Sequence, residues 1–213
     1  MFKKLFAAII TVGMIGFAGA ASAQEAADAF VKRISQEVLE TAKTDKDIQS
    51  GNQQKILEVV QAKILPNVDF QRMTSLAAGR YWREATPEQQ KRLTEEFRDL
   101  LVYTYAGAIA SIRDQQLEFK PMRNDPADTE VEVRSQVVQQ RGEPIQLNYR
   151  LSKAGNSWKI YDLNVLGAWL VETYKGNFAS EISKGGIDGL IKTLAERNKR
   201  LAAGGIAKNG KPS

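Results

Sequence analysis

The 213-residue chain contains no cysteine and no histidine. The first absence excludes disulfides, a thiolate nucleophile and any sulfur-ligated metal site. The second removes the commonest general base and the commonest metal ligand. Ser–His–Asp and Cys–His arrangements are therefore excluded, and any acid–base chemistry would fall to carboxylates. No G-x-G-x-x-G, P-loop or G-x-S-x-G motif is present. An excess of one charge is also missing. Thirty Lys and Arg stand against 25 Asp and Glu, a net charge of +5. With no dense basic patch, nucleic acid is not an expected partner.

The one long apolar run lies at the N-terminus. Lys3 and Lys4 precede a small and apolar stretch from Leu5 to Ala20, and Ala21-Ser22-Ala23 forms an A-x-A cleavage site before Gln24. This predicts a secretory signal peptide over residues 1–23 rather than a membrane anchor, whose apolar span would be longer. No cysteine follows the cleavage site to accept a lipid. Loss of Lys3 and Lys4 lowers the net charge of +5 to +3. Residues 24–201 have the length of one domain with a sizeable core. The small, Gly-rich stretch 202–213 is expected to be a disordered tail.

Between these ends the chain reads as helices, then strands, then helices. Apolar residues at helical spacing predict helices from Ala26 to Thr44, from Asn52 to Pro66 and from Asp69 to Gly79, the last two capped by Asn52 and Asp69. Thr86-Pro87-Glu88-Gln89 is a capping box with Pro at the first helical position. It opens an apolar stripe that runs through Leu93, Phe97, Leu101, Tyr105, Ile109 and Ile112, a predicted helix of about 25 residues, or about 38 Å. Its second half is thinned by Gly107 and by alanines 106, 108 and 110. Leu117–Lys120, Glu130–Gln140, Ile145–Ser152 and Trp158–Val165 then alternate as strands, with turns at Asn124–Asp128, Arg141–Pro144 and Lys153–Asn156. The last strand places Trp158 and Ile160 on one face and Tyr161, Leu163 and Val165 on the other. A strand apolar on both faces has both sides covered or lines an apolar cavity. Gly167 is read as the end of this strand. A helix then carries Trp169, Leu170, Thr173, Tyr174 and Phe178 and stops at Gly185-Gly186. A final helix holds Ile187, Leu190, Ile191, Leu194 and Leu201. The fold class is α+β, a single domain built on a four-stranded antiparallel meander.

Asp162 is the one acidic residue in that apolar strand. It is a candidate base in a small isomerase- or hydratase-like cavity; otherwise it faces outward or bonds a neighbouring loop. The aromatic residues Trp82, Tyr105, Tyr149, Trp158, Tyr161, Trp169, Tyr174 and Phe178 are either core or the lining of a cavity. A third reading is an interaction module with an ordinary filled core.

The ordered set Asp69-Phe70-Gln71-Arg72-Met73, Gly79, Tyr81 through Gln89, and Phe97 resembles the MlaC family of periplasmic phospholipid-binding proteins. The second half agrees in Tyr149-Arg150-Leu151, Trp158 through Asp162, Gly167, Tyr174, Phe178, Ile182, Gly186 and Gly189-Leu190-Ile191. The resemblance spans about residues 25 to 200. Ala168-Trp169 departs from the family pattern, in which Ser follows a small residue.

The resemblance implies a curved four-stranded sheet wrapped by helices, as in nuclear-transport-factor-2-like domains. It implies a non-enzymatic carrier, without a cofactor, that holds a diacyl phospholipid by its acyl chains between sheet and helices. It also implies shuttling between an outer-membrane lipoprotein–porin complex and an inner-membrane ABC transporter complex with a membrane-anchored lipid-binding subunit, which maintains outer-membrane asymmetry. The candidate cavity-lining residues on helices are Phe70, Met73, Trp82, Phe97, Leu101, Tyr105, Ile109, Tyr174 and Phe178. Those on strands are Val133, Val137, Leu147, Tyr149, Trp158, Ile160 and Leu163.

Overall fold

A computed structural model describes residues 25–122, 125, 127–140 and 142–204. The expected signal peptide lies outside them, as do residues 205–213 of the expected tail. Within the described residues the chain forms helices, then a sheet, then one further long helical segment.

Helix α1 (Ala27–Thr44) buries Phe30, Val31 and Ile34 on one face. The stretch expected as a polar break holds a short helix, α2 (Lys46–Ser50). Asp45 caps it by accepting from the N–H groups of Asp47 and Ile48, and Gly51 closes it at φ 88°. Asn52 caps α3 (Gln53–Val59) through the Lys55 N–H. This helix does not continue regularly to Pro66. It widens into a π-turn at Val60–Ile64 and tightens at Leu65–Asn67. Asp69 caps α4 (Phe70–Ala78), and α5 (Tyr81–Glu84) follows. The capping box of Thr86 and Gln89 opens α6 (Pro87–Tyr105) as expected. The expected single long helix is shorter: a turn at Ala106, whose own backbone stays helical (φ −58°, ψ −29°), divides α6 from α7 (Gly107–Ala110), where it ends. Glycine carries the largest entropic cost in a helix interior, and the alanines beside it bring little packing to offset that cost.

The sheet has five strands, not four, in the order β1-β2-β3-β4-β5, and every pair is antiparallel. They are β1 (Gln116–Phe119), β2 (Glu130–Val138), β3 (Ile145–Ala154), β4 (Ser157–Val165) and β5 (Ala168–Trp169). The fifth arises because Gly167 does not simply end β4. Leu166 (φ 54°) and Gly167 (φ 88°) make a two-residue turn with both central φ angles positive, and Ala168 and Trp169 pair back on Val165 and Asn164. A two-residue strand carries no periodicity from which to read it.

β4 contains a bulge that corrects the expected two-sided apolar strand. Leu151 pairs with Ile160 and Arg150 with Asp162, so Tyr161 is an extra residue. The extra residue reverses the alternation. Trp158, Ile160, Leu163 and Val165 therefore share one face instead of dividing between two. The other face is polar. It carries Glu132, Arg134 and Gln136 of β2, Gln146, Asn148 and Arg150 of β3, and Asp162 and Asn164 of β4.

Helix α8 (Leu170–Gly204) is two helices joined at Gly186, whose φ of 68° and ψ of −171° are not helical. The stop expected at Gly185-Gly186 is thus present as a kink. The second half continues to Gly204, so residues 202–204, expected in the tail, are helical. Both halves contribute to the buried cluster that α4 and α6 also form. The Asn198 amide crosses to α6, where it donates to the backbone carbonyl and the carboxylate of Glu96.

Candidate functional site

Residues paired across strands share a face, so the register assembles the apolar side of the sheet into rows. Leu117, Val137 and Ile145 form the first row, and Ser135, Leu147 and Val165 the second. Val133, Tyr149 and Leu163 form the third, and Val131, Leu151 and Ile160 the fourth. Helix α1 covers the far rows. Phe30, Val31 and Ile34 pack there with Val133, Tyr149, Leu151, Trp158 and Ile160 in one buried cluster. The Trp158 indole N–H donates to the Glu25 carbonyl (2.9 Å) and closes that end.

The near rows are not covered in this way. Leu117, Val137, Ile145 and Val165 are half-buried and belong to none of the buried clusters, while Leu147 lies at the edge of the α1 cluster. The apolar face is therefore sealed at one end and partly open at the other. Leu117, Ile145 and Val165 were not among the candidates read from sequence. Alternation within each strand was visible, but only the pairing shows that they form one patch.

The facing wall is helical. Met73 of α4, Phe97 and Leu101 of α6, and Tyr174 and Phe178 of α8 form a second buried cluster, with Phe70, Trp82 and Tyr105 packed against it. The Phe97 ring meets Tyr174 and Phe178 edge-on, each at a centroid distance of 4.9 Å. Val68 and Leu163 touch both this cluster and the α1–sheet cluster, and so mark the seam between helical wall and sheet. A backbone bond from Asp69 N–H to the Ile160 carbonyl (2.8 Å) ties the two layers there. Ile109 belongs elsewhere, in a third cluster with Ala42, Ile48, Ile56 and Val60. The structure thus divides the sequence candidates between the two walls, leaves Val137 at the open end, and sets Ile109 apart.

Polar atoms are few along these walls. Burial raises the Tyr149 phenol above its usual pKa, and hydrogen bonds to Ser35 and Ser135 oppose that rise. The Ser135 hydroxyl itself donates to the Leu147 carbonyl at 2.5 Å. Burial pushes Tyr174 up to about 12, with the neighbouring Tyr105 adding to the rise. Tyr105 itself is raised by burial.

Asp162 is not in the apolar site. It is 1% exposed and lies in register with Arg150, on the opposite side of the sheet from Tyr149 and Leu151. One carboxylate oxygen accepts from the backbone N–H groups of Leu163 (2.9 Å) and Val171 (3.1 Å), and the other faces Arg150 at 3.3 Å. Burial raises its pKa, and the two backbone N–H groups act against that rise. The backbone partner expected in a loop is instead the start of a helix, since Asp162 holds the first turn of α8 against β4. Trp169, the departure from the family pattern, stacks its ring on Arg150 at 3.9 Å and joins the same assembly. Tyr161, a candidate core aromatic, is buried outside the three clusters, under Arg72 at 3.8 Å. Its hydroxyl donates to Glu130, which Arg72 holds below the ordinary carboxylate range.

Surface clefts occur away from these walls, between α3 with its π-turn and α6. They are lined by Gln53, Gln54, Leu57, Glu58 and Gln61, and further along by Leu65, Arg98, Asp99, Val102 and Tyr103. Among the described residues no group of three or more acidic side chains could hold a metal ion.

The family model described as MlaC protein matches residues 32–196. The intermembrane phospholipid transport system binding protein MlaC of Haemophilus influenzae is 27% identical over 160 residues, 70% of this chain and 74% of that protein. The toluene tolerance protein ttg2D of Pseudomonas putida is 26% identical over 165 residues, 77% of this chain and 76% of that protein. A solved structure of a phospholipid-binding protein from Ralstonia solanacearum, in complex with a phospholipid, is 49% identical. It superposes with a TM-score of 0.79 and covers 84% of this chain and 99% of that one. Taken with the ordered motifs and the two-walled fold, the match over residues 32–196 establishes that the chain belongs to the MlaC family.

Proposed function

We propose that this protein is a periplasmic phospholipid carrier, exported by a cleaved signal peptide over residues 1–23, and not an enzyme. It holds a diacyl phospholipid by its acyl chains between the apolar face of the sheet and the helical wall of α4, α6 and α8. It moves the lipid between an outer-membrane lipoprotein–porin complex and an inner-membrane ABC transporter complex with its membrane-anchored lipid-binding subunit, and so maintains outer-membrane lipid asymmetry.

The observation that carries this reading is the division of the sheet's apolar face. One end is sealed by α1, the other stays half-buried, and the aromatic helical cluster meets the sheet at Val68 and Leu163. The fold around it is the one that holds a phospholipid in the 49%-identical solved relative. The candidate base Asp162 supports the same reading, since its oxygens are engaged by two backbone N–H groups and Arg150.

Physical chemistry makes the case for a carrier. Two acyl chains hold about 30 methylenes, each costing about 0.8 kcal/mol to expose to water, so an unassisted crossing faces a barrier above about 20 kcal/mol. An apolar slot removes most of that barrier. It must not bind much more tightly than a membrane does, or it cannot unload. Native mass spectrometry tests the proposal. The expected result is a bound mass that organic solvent releases and that fragments as a diacyl phospholipid. A spectrum of the bare polypeptide alone contradicts it.

A further inference from the structure

Tyr174 carries a buried polar group that the fold satisfies poorly. Its ring is packed edge-on against Phe97 and tilted against Phe178, and 4% of the residue is exposed. Its hydroxyl is fully enclosed and makes no well-formed hydrogen bond. The hydroxyl of Tyr105, on the last turn of α6, interacts with it as a weak hydrogen-bonding neighbour, and Arg197 of α8 lies within electrostatic reach of both. A phenylalanine would fill the same space without an unsatisfied donor. Buried hydroxyls without partners are uncommon, because the group loses its water and gains nothing in return.

The position of the pair narrows what could satisfy it. Tyr174 lies one turn beyond Leu170, where α8 leaves β5. That is the side of the sheet where β4 ends at the half-exposed Val165. Tyr105 is half-buried, so the pair runs from the buried helical cluster towards the surface. A ligand atom meeting Tyr174 must accept a hydrogen bond in an apolar enclosure. A phosphate would have to lose most of its hydration there. An ester carbonyl needs only one donor and carries no charge. In a diacyl phospholipid the ester carbonyls sit where the acyl chains meet the glycerol, at the boundary between apolar and polar parts.

We infer that the Tyr174 hydroxyl, oriented by Tyr105, is a hydrogen-bond donor to an acyl ester carbonyl of the bound lipid. It sets the depth at which the acyl chains stop and the headgroup begins. This rests on the carrier reading and deepens it, because it names the chemical group recognised: a carboxylic ester rather than a headgroup.

The test is a competition. The purified protein is incubated with vesicles containing equal parts of diester and diether phosphatidylcholine of matched chain length, then re-isolated, and the extracted lipid is measured by mass spectrometry. The diether lacks only the carbonyls. One neutral hydrogen bond is expected to favour the diester by about three- to tenfold in the wild type. Tyr174→Phe brings the ratio close to one and melts at or above the wild-type temperature. Tyr105→Phe lowers the ratio too, which keeps the test open if Tyr174→Phe fails to fold. Tyr103→Phe, beside the outer cleft, keeps the wild-type ratio. A wild-type ratio near one, or an undiminished ratio in Tyr174→Phe, overturns the inference while leaving the carrier reading intact. A wild type that takes up neither lipid overturns both.

Discussion

At the scale of the residue, Asp162 shows how a chemically suggestive side chain is decided by its partners. Its acceptors are used by Leu163 N–H, Val171 N–H and Arg150, so it anchors α8 and has no free lone pair aimed at the apolar walls. Asp162→Asn keeps the shape and one acceptor but turns an amide N–H₂ towards Arg150. The expected loss is about 1–3 kcal/mol of stability, read as a lower melting temperature, with lipid uptake from vesicles unchanged. A variant that melts normally yet loses a measurable turnover of some bound small molecule would instead make Asp162 catalytic. The penalty also depends on pH. The folded-state pKa of Asp162 is raised above 3.8, so the folded protein keeps this proton at pH values where the unfolded chain has lost it. Its contribution is greatest below 3.8 and falls as pH rises through the folded value. Urea titrations should show a larger gap between wild type and Asp162→Asn in mild acid than at neutral pH. The wall residues are tested in the opposite sense. Leu147→Glu at the edge of the open end should reduce bound lipid while the protein still melts cooperatively. If lipid content stays full, the open end of the sheet is not the entry to the slot.

At the scale of the element, the parts with chemical punctuation were legible in the sequence. Asn52, Asp69 and the Thr86–Gln89 box each cap the helix they were expected to cap. Strands β2 and β3 follow from alternation. What was not legible depends on pairing between distant segments. The bulge at Tyr161 exists only relative to β3, and without it Trp158 and Leu163 read as opposite faces. The open apolar patch suffers the same limit, because Leu117, Ile145 and Val165 come together only through register. Two element-scale outcomes follow. Deleting Tyr161 removes the extra residue and leaves Trp158, Ile160, Leu163 and Val165 on one face by simple alternation, so the protein should keep a cooperative near-UV melt while losing the Tyr161–Arg72 contact. Gly186→Ala forces a side chain into φ 68°, ψ −171° with nothing within 4 Å of the new Cβ. Strain alone should then cost about 1–3 kcal/mol, and a melting temperature equal to wild type would show that the kink is relaxed in solution.

At the scale of the whole molecule, the apolar face of the sheet is closed at one end and half-buried at the other. Trp158 bonded to Glu25, α1 over the far rows, and the Asp69–Ile160 backbone bond close one side. Half-buried Val137, Ile145 and Val165 mark the other. The central claim is that acyl chains occupy the space between sheet and helical wall, and extraction of the freshly purified protein with organic solvent tests it most directly. Phospholipid near one equivalent per polypeptide, with none added, is the expected result, and it should fall in the Leu147→Glu variant. Freshly purified wild-type protein that yields no phospholipid, and takes none from vesicles, would contradict the account.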